Sequence, residues 1–265
     1  MNIIITAGGT TEKIDQVRKI TNTATGRLGS LTAEAFARQG GGRIENIFYV
    51  CENGTVLPKA GPVTVVPVEG VESVRTALAR IFSANRIDAV VHSMAVSDYT
   101  VDRLTTAEAL SAFLAHRLSR AAPADLQDEA ALAGRILRWI GENDRLIDRS
   151  KKIGSDLENL TLLMKRTPKL IGLIRKMQPA AILVGFKLLN HVEPRTLLDV
   201  GYKLLKKNSC DFVVANDSAR IGGDRHVGYL ICADRSYRKL ETKEQIAEQI
   251  AQNVLRLSGG KAGKA

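Results

Sequence analysis

The chain has 265 residues, of which 45% are hydrophobic and 25% charged, and its formal net charge is +10. That is enough chain for a sizeable core in one large domain or two small ones, and no apolar run is long enough to span a bilayer. Cys51, Cys210 and Cys232 form neither a CxxC pair nor a metal spacing, so they read as free thiols of a reducing, cytoplasmic compartment. Met1–Thr6 lacks the basic flank and length of a signal peptide and reads as a first strand. Asn2–Thr6 (NIIIT) is an unbroken apolar run closed by Gly8-Gly9, the pattern of a buried parallel strand. Leu28–Gln39 has helical spacing and ends at Gly40-Gly41-Gly42, a helix stop.

Strands are predicted over Asn46–Cys51, Val63–Val68 and Ala89–Ser93, with a helix over Glu72–Phe82. This alternation predicts an α/β fold, a Rossmann-like, mostly parallel sheet flanked by helices. Asp102–Asp148 breaks the pattern. Rich in Ala, Leu and Arg, it predicts a helical insertion of two or three amphipathic helices packed on the α/β body. Strand character returns over Leu160–Met164, Ala181–Phe186, Asp211–Ala215 and Gly228–Cys232. A crossover helix is predicted over Leu197–Lys207 and a last helix over Lys243–Leu257. Ser258–Ala265 is a Gly/Lys/Ala tail with little to bury and reads as disordered. Residues 1–257 therefore read as one α/β domain with an insertion at about 102–148.

The turn Thr6-Ala7-Gly8-Gly9-Thr10-Thr11 follows the first strand, where glycines let backbone approach a ligand and free N–H groups bind anions. It is not a dinucleotide fingerprint. That motif opens directly into a helix and has an acidic residue about twenty positions on. Here the helix begins only near Thr25–Gly29, and Glu52 lies too far along. No GxxxxGK[ST] loop is present. On the glycines alone, a plain turn and a ligand loop remain equally open.

A long polar loop fills the gap between Gly9 and the helix, and such a loop in a compact sheet usually serves function. It contains Ile14-Asp15-Gln16-Val17-Arg18-Lys19-Ile20-Thr21-Asn22 and Thr25-Gly26-Arg27-Leu28-Gly29. With the AGGT turn ahead of it, this closely resembles the phosphopantothenoylcysteine synthetase family. The resemblance continues in order through Met94-Ala95-Val96-Ser97-Asp98-Tyr99, Lys152-Ile153, Thr167-Pro168-Lys169-Leu170 and Val184-Gly185-Phe186-Lys187-Leu188. It ends with Lys203 and Lys207 ahead of Ala215-Asn216-Asp217. Three features depart from the pattern. Phe186-Lys187-Leu188-Leu189 stands where the common bacterial form reads FAAET, Met94 stands where Ala is usual, and 102–148 has no clear counterpart. The first departure and the lack of a preceding flavin-dependent decarboxylase domain fit a single-function form.

The resemblance implies a ligase of coenzyme A biosynthesis. It would join 4'-phosphopantothenate to cysteine through an acyl-cytidylate, releasing pyrophosphate and CMP. Magnesium is the implied cofactor, CTP is favoured over ATP as cosubstrate, and a homodimer is the implied assembly. No protein metal ligands are assigned. Lys152 and Asn22 are the implied catalytic residues: a cation for the α-phosphate and an amide donor for the acyl oxygen. Arg18, Asn22, Gly26 and Ala95 would bind phosphopantothenate. Gly8, Gly9, Asp98, Lys152, Thr167, Pro168, Phe186, Lys203 and Lys207 would bind the nucleotide. Each has a plainer reading. Lys152 reads also as a surface lysine, Asn22 as a turn residue, Arg18 as a loop-to-core salt bridge, Asp98 as a cap and Phe186 as core. Lys203 and Lys207, spaced i,i+4, share one helix face and read as a phosphate clamp or as a solvated stripe.

Two other classes compete. A Rossmann oxidoreductase would bind NAD(P), and the glycine turn lacks the dinucleotide fingerprint. A nucleotide-sensing or nucleic-acid-binding module would use the basic charge, but no nucleic-acid motif is present and aromatics are only 5%. The chain is thus expected to bind small molecules, with no nucleic acid and no membrane among its partners.

Overall fold

The computed structural model describes residues 1–222 and 225–262. They form two compact units. The first unit comprises Met1–Thr11, Thr21–Ser97 and the chain from Pro168 onward; the second comprises Glu12–Ile20 and Asp98–Thr167. The expectation was one α/β domain with an insertion at about 102–148. The second unit carries its own two-stranded sheet and buried residues, Val101, Leu104 and Phe113 among them.

The first unit is a Rossmann-like α/β body. Its strands are β1 (Asn2–Ala7), β4 (Asn46–Glu52), β5 (Val63–Val68), β6 (Ala89–His92), β9 (Ile182–Leu189), β10 (Phe212–Gly222), β11 (Arg225–Cys232) and β12 (Tyr237–Thr242). They form one sheet in the order β12-β11-β10-β9-β6-β1-β4-β5. Neighbours from β10 to β5 are parallel, and β11 and β12 add antiparallel at one edge. Alternating side chains feed two cores. Ile3 and Ile5 face α1 (Arg27–Gly40) and α7 (Lys243–Ala262), whose Phe36, Ile250 and Val254 complete that layer. Ile4 and Val90 face the other side, with Val74 and Leu78 of α2 (Val71–Ala84), Ile174 of α5 (Leu170–Met177) and Leu205 of α6 (Pro194–Asn208). Both faces of the parallel strands are covered, which is why they read as unbroken apolar runs. A 3-10 turn, Gly41–Arg43, ends α1.

Helix α7 continues to Ala262. Over 258–262 this corrects the reading of 258–265 as a disordered tail. The Ser258 hydroxyl donates back to the Leu255 carbonyl at 2.9 Å. Residues 263–265 lie outside the described residues.

In the second unit, β7 (Tyr99–Thr106) pairs antiparallel with β8 (Leu160–Arg166), bulged between Val101 and Arg103. Residues 102–106 are therefore strand rather than helix. Across the pair, Lys165 Nζ meets Asp102 at 2.9 Å. The helices expected beyond them are present: α3 (Ala107–Ser119), a 3-10 turn (Pro123–Leu126) and α4 (Glu129–Glu142). Thr106 caps α3, its hydroxyl accepting from Ala109 N at 3.1 Å. Asp128 caps α4, accepting from Ala130 N at 2.9 Å and Ala131 N at 3.2 Å. Short strands β2 (Thr11–Lys13) and β3 (Lys19–Thr21) pair with each other.

Candidate active site

In the first unit, five of the residues singled out in the sequence lie together at the carboxyl ends of β1 and β6, the end where open α/β sheets place ligands. The Gly8 carbonyl accepts from Ala95 N at 2.8 Å, the Ala95 carbonyl accepts from Thr10 N at 3.0 Å, and Gly9 bridges Ala95 in parallel. Asn22 closes this arrangement. Its Nδ2 donates to the Ala95 carbonyl at 3.0 Å and to Ser97 Oγ at 3.1 Å. Thr10 Oγ1 lies 2.9 Å from Ser97 Oγ and accepts from Ser97 N at 2.8 Å.

The glycines are demanded by space. A Cβ on Gly9 would stand 2.5 Å from the Asn22 carbonyl oxygen. Gly8 and Gly26 have φ of +77° and +78°, and a Cβ on either would strike Thr55. Gly26 precedes α1 in this left-handed conformation. Beneath the loop, buried Tyr49 donates to the Val56 carbonyl at 2.8 Å and lies 3.2 Å from that of Gly26. At the end of β6, His92 Nδ1 lies 2.8 Å from Thr6 Oγ1, and burial pushes the imidazole pKa down to about 4.

The remaining residues of the first unit are placed singly. Phe186 is partly buried on β9, packed against the α1/α7 core. Lys203 and Lys207 are exposed on α6. Pro168 lies just ahead of α5.

In the second unit, the IDxVR segment is organised around a carboxylate that the sequence reading left without a role. Asp15 is 2% exposed. Its Oδ1 accepts from Val17 N at 2.8 Å and Arg18 N at 2.6 Å. Its Oδ2 accepts from Arg18 Nε and Ile153 N, each at 3.1 Å. The Arg18 backbone N–H leads in holding this carboxyl well below the usual range, opposed by burial and helped by the Ile153 and Val17 N–H groups and the Arg18 charge. Arg18 Nη2 donates to the Ile153 carbonyl at 2.6 Å. Arg18 thus makes an internal salt bridge while its side chain stays 42% exposed. Together Asp15 and Arg18 hold the N–H and the C=O of Ile153 and thereby fix the backbone beside exposed Lys152. Arg149 anchors the same loop, donating to Ile14 O at 2.8 Å, Val101 O at 2.9 Å and the Lys13 carbonyl. Asp98 and Thr167 also meet, Thr167 N donating to Asp98 O at 3.0 Å. No sequence periodicity announces the Asp15–Ile153 contact, which joins residues 138 positions apart.

Among the described residues, no three His, Cys, Asp or Glu side chains gather into a metal cage. No helix among them is long and apolar enough to cross a membrane.

A family model described as the DNA/pantothenate metabolism flavoprotein C-terminal domain matches residues 1–110 and 145–257. The match skips 111–144, which holds most of α3 and all of α4. The coenzyme A biosynthesis bifunctional protein CoaBC of Methanocaldococcus jannaschii is 24% identical over 257 residues, covering 96% of this chain and 50% of that protein. The protein of the same name in Bacillus subtilis is 26% identical over 263 residues, covering 97% and 52%. The chain spans about half the length of the curated relatives it matches. Among solved structures, a DNA/pantothenate metabolism flavoprotein from Streptococcus pneumoniae superposes with a TM-score of 0.75 at 28% identity, covering 97% of this chain and 99% of that one. A Cab2 mutant in complex with phosphopantothenate-cysteine shares the fold, with a TM-score of 0.66 at 15% identity over 99% and 88%.

Proposed function

We propose, because this chain belongs to the DNA/pantothenate metabolism flavoprotein C-terminal domain family, that it is a phosphopantothenate–cysteine ligase of coenzyme A biosynthesis. In the first half-reaction, the carboxylate of 4'-phosphopantothenate attacks the α-phosphorus of CTP and pyrophosphate leaves. In the second, the cysteine amine attacks the acyl carbon, the bond to CMP breaks, and the amine gives up a proton. CTP rather than ATP is proposed on the resemblance of the motifs to bacterial forms. A cytoplasmic homodimer is proposed on the same ground.

The observation that carries this reading is the cradle in the first unit. Gly9 and Ala95 run side by side with no room for a Cβ on Gly9, and Asn22 brings an amide donor to the same place. Such a place suits a planar acyl group whose oxygen gains charge during reaction. For Asn22 to serve that oxygen, one present acceptor must let go. Ser97 Oγ can do so, because it keeps Thr10 as a partner. Gly26 and Ala95 flank this place, and Gly8 is proposed to offer backbone to the nucleotide phosphates.

Lys152 is proposed to meet the charge that builds on the α-phosphate, on a backbone held by Asp15 and Arg18. Arg18 is proposed to hold Ile153 and, with its exposed side, to meet phosphopantothenate. Lys203 and Lys207 are proposed to hold the outer phosphates, and Asp98, Thr167, Pro168 and Phe186 to frame the nucleoside. Magnesium is proposed to arrive on the triphosphate, coordinated by phosphate oxygens and water. The test is pyrophosphate release with CTP, ATP, phosphopantothenate and cysteine, omitting each in turn. Release that needs CTP and phosphopantothenate supports the reading. Release that ignores phosphopantothenate overturns it.

A further inference from the structure

A polar cluster stands on the same edge of the first unit's sheet as the cradle, at the carboxyl end of β9. β9 lies beside β6 with Gly185 opposite His92, so that, counting on, Leu188 comes level with Ala95. Leu188 in turn pairs with Asn216 on β10. Gly9, Ala95, Leu188 and Asn216 thus form one row across the sheet, each a strand spacing of about 4.8 Å from the next. The chain leaves β9 just past this row, at Asn190 and His191.

His191 is fixed in backbone and in ring. Its φ is +52°, a left-handed conformation uncommon outside glycine. Asp217 on β10, 2% exposed, holds that turn by accepting from His191 N at 2.9 Å, Val192 N at 3.1 Å and Ala219 N at 3.0 Å. Burial works to raise the pKa of this carboxyl, but the three N–H groups and the Arg220 charge hold it below the usual range. His191 Nδ1 lies 2.9 Å from Asn190 Oδ1, which also accepts from Ser218 Oγ at 2.7 Å. An amide oxygen only accepts, so Nδ1 carries the hydrogen and the neutral ring keeps its lone pair on Nε2. The side chain is exposed, and among the described residues Nε2 has no partner.

The second half-reaction needs a proton acceptor. Cysteine arrives at neutral pH mostly as an ammonium ion, which has no lone pair to attack with. Lys152 is a cation and Asn22 an amide, so neither can take the proton. Of the chain's four histidines, His116 belongs to the second unit. His92 and His226 are buried, and burial chiefly pushes both imidazoles down to about 4. His191 is left as the exposed imidazole of the first unit.

We propose that His191 is the general base of the second half-reaction, an inference that rests on the ligase reading. One ammonium proton passes to Nε2, and the freed lone pair bonds the acyl carbon. The acyl–oxygen bond breaks with its electron pair left on the CMP phosphate. The new amide nitrogen and the imidazolium each give a proton to solvent. Asn190, which sets the tautomer, and Asp217, which sets the backbone, are positioning residues.

The test separates this step from the one before it. Enzyme, CTP, magnesium and phosphopantothenate are incubated to form the mixed anhydride, then mixed in rapid quench with cysteine or with hydroxylamine. Hydroxylamine is already uncharged at neutral pH, so no proton must leave before it attacks. His191→Asn removes the imidazole but keeps a residue type that tolerates the left-handed backbone and keeps the N–H that Asp217 accepts. This variant should form anhydride and pyrophosphate as the wild type does and yield hydroxamate at the wild-type rate. Its reaction with cysteine should slow by about 10²-fold or more. Reaction with cysteine at the wild-type rate would overturn the proposal. So would an equal slowing with hydroxylamine, which would mark a structural role. A wild-type enzyme that forms no anhydride would remove the ligase reading, and the proposal with it.

Discussion

Replacing Gly9 with alanine probes the cradle at its tightest point. An ideal Cβ there stands 2.5 Å from the Asn22 carbonyl oxygen and 2.9 Å from Asn22 Cβ. Carbon and oxygen settle near 3.3 Å at closest, so the Asn22 backbone must retreat by about 0.8 Å. That is close to the 1 Å misplacement that costs on the order of 10²-fold in rate. The overpacking itself costs about 1–3 kcal/mol, and each kcal/mol lowers the melting temperature by roughly 2–4 °C at this size. The assay pairs pyrophosphate release with a thermal melt, using Gly42→Ala as control because nothing lies within 4 Å of that position. A Gly9→Ala enzyme that melts lower and turns over about a hundredfold more slowly fits this reasoning. A variant of full activity refutes it, whatever its melting temperature.

Three further outcomes follow from particular contacts. Gly134 sits in α4 with open space around it, so Gly134→Ala should stabilise by about 0.5–1 kcal/mol, read as a raised denaturation midpoint; no gain counts against the helix assignment. His92 and His226 have folded pKa values lowered to about 4 from 6.5, chiefly by burial. The unfolded chain therefore binds more protons between those values, and stability should fall as pH drops from 6.5 toward 4, by roughly 1.4 kcal/mol per unit and group at most; a flat denaturation profile across that window would contradict it. Asp15 has a strongly depressed folded pKa, so the stability it contributes is present above its unfolded value and lost in more acid solution. Asp15→Asn should remove that acid-side loss and lower the rate by loosening Lys152, with Arg18→Lys giving a milder defect; an unimpaired Asp15→Asn enzyme would argue that the grip on Ile153 serves no positioning.

What the sequence made legible divides along physical lines. The parallel strands were visible because burial on both faces leaves only apolar residues, as in Ile3-Ile4-Ile5 and Val90-Val91. Strand β12 escaped because it is an edge strand, largely exposed, in which Leu240 alone is buried. Strand β7 escaped because Asp102 and Arg103 interrupt it at a bulge, and Asp102 finds its partner on β8. Composition marked the helices α3 and α4 but could not mark where the strand before them ended. At the site, the glycines were readable as a close approach. Which residue they approach was not, since Thr55 and Asn22 come from other loops. Arg18 was the conspicuous charge in its motif, and its bonds to Asp15 and Ile153 were not visible in the sequence. A carboxylate whose partners are mostly backbone N–H groups leaves no mark on the pattern of side chains.

The central claim is an acyl-nucleotide made in one step and consumed in the next, and rapid quench with mass spectrometry of the bound species tests it most directly. With CTP and phosphopantothenate but no cysteine, the wild-type enzyme should accumulate the mixed anhydride. Lys152→Gln should accumulate none and release no pyrophosphate. Asn22→Asp, which removes the donor and sets a carboxylate against the Ala95 carbonyl, should form some anhydride and stall when cysteine is added. The anhydride appearing in the Lys152 variant and not in the Asn22 variant would reverse the two roles, and its absence from the wild-type enzyme would contradict the account.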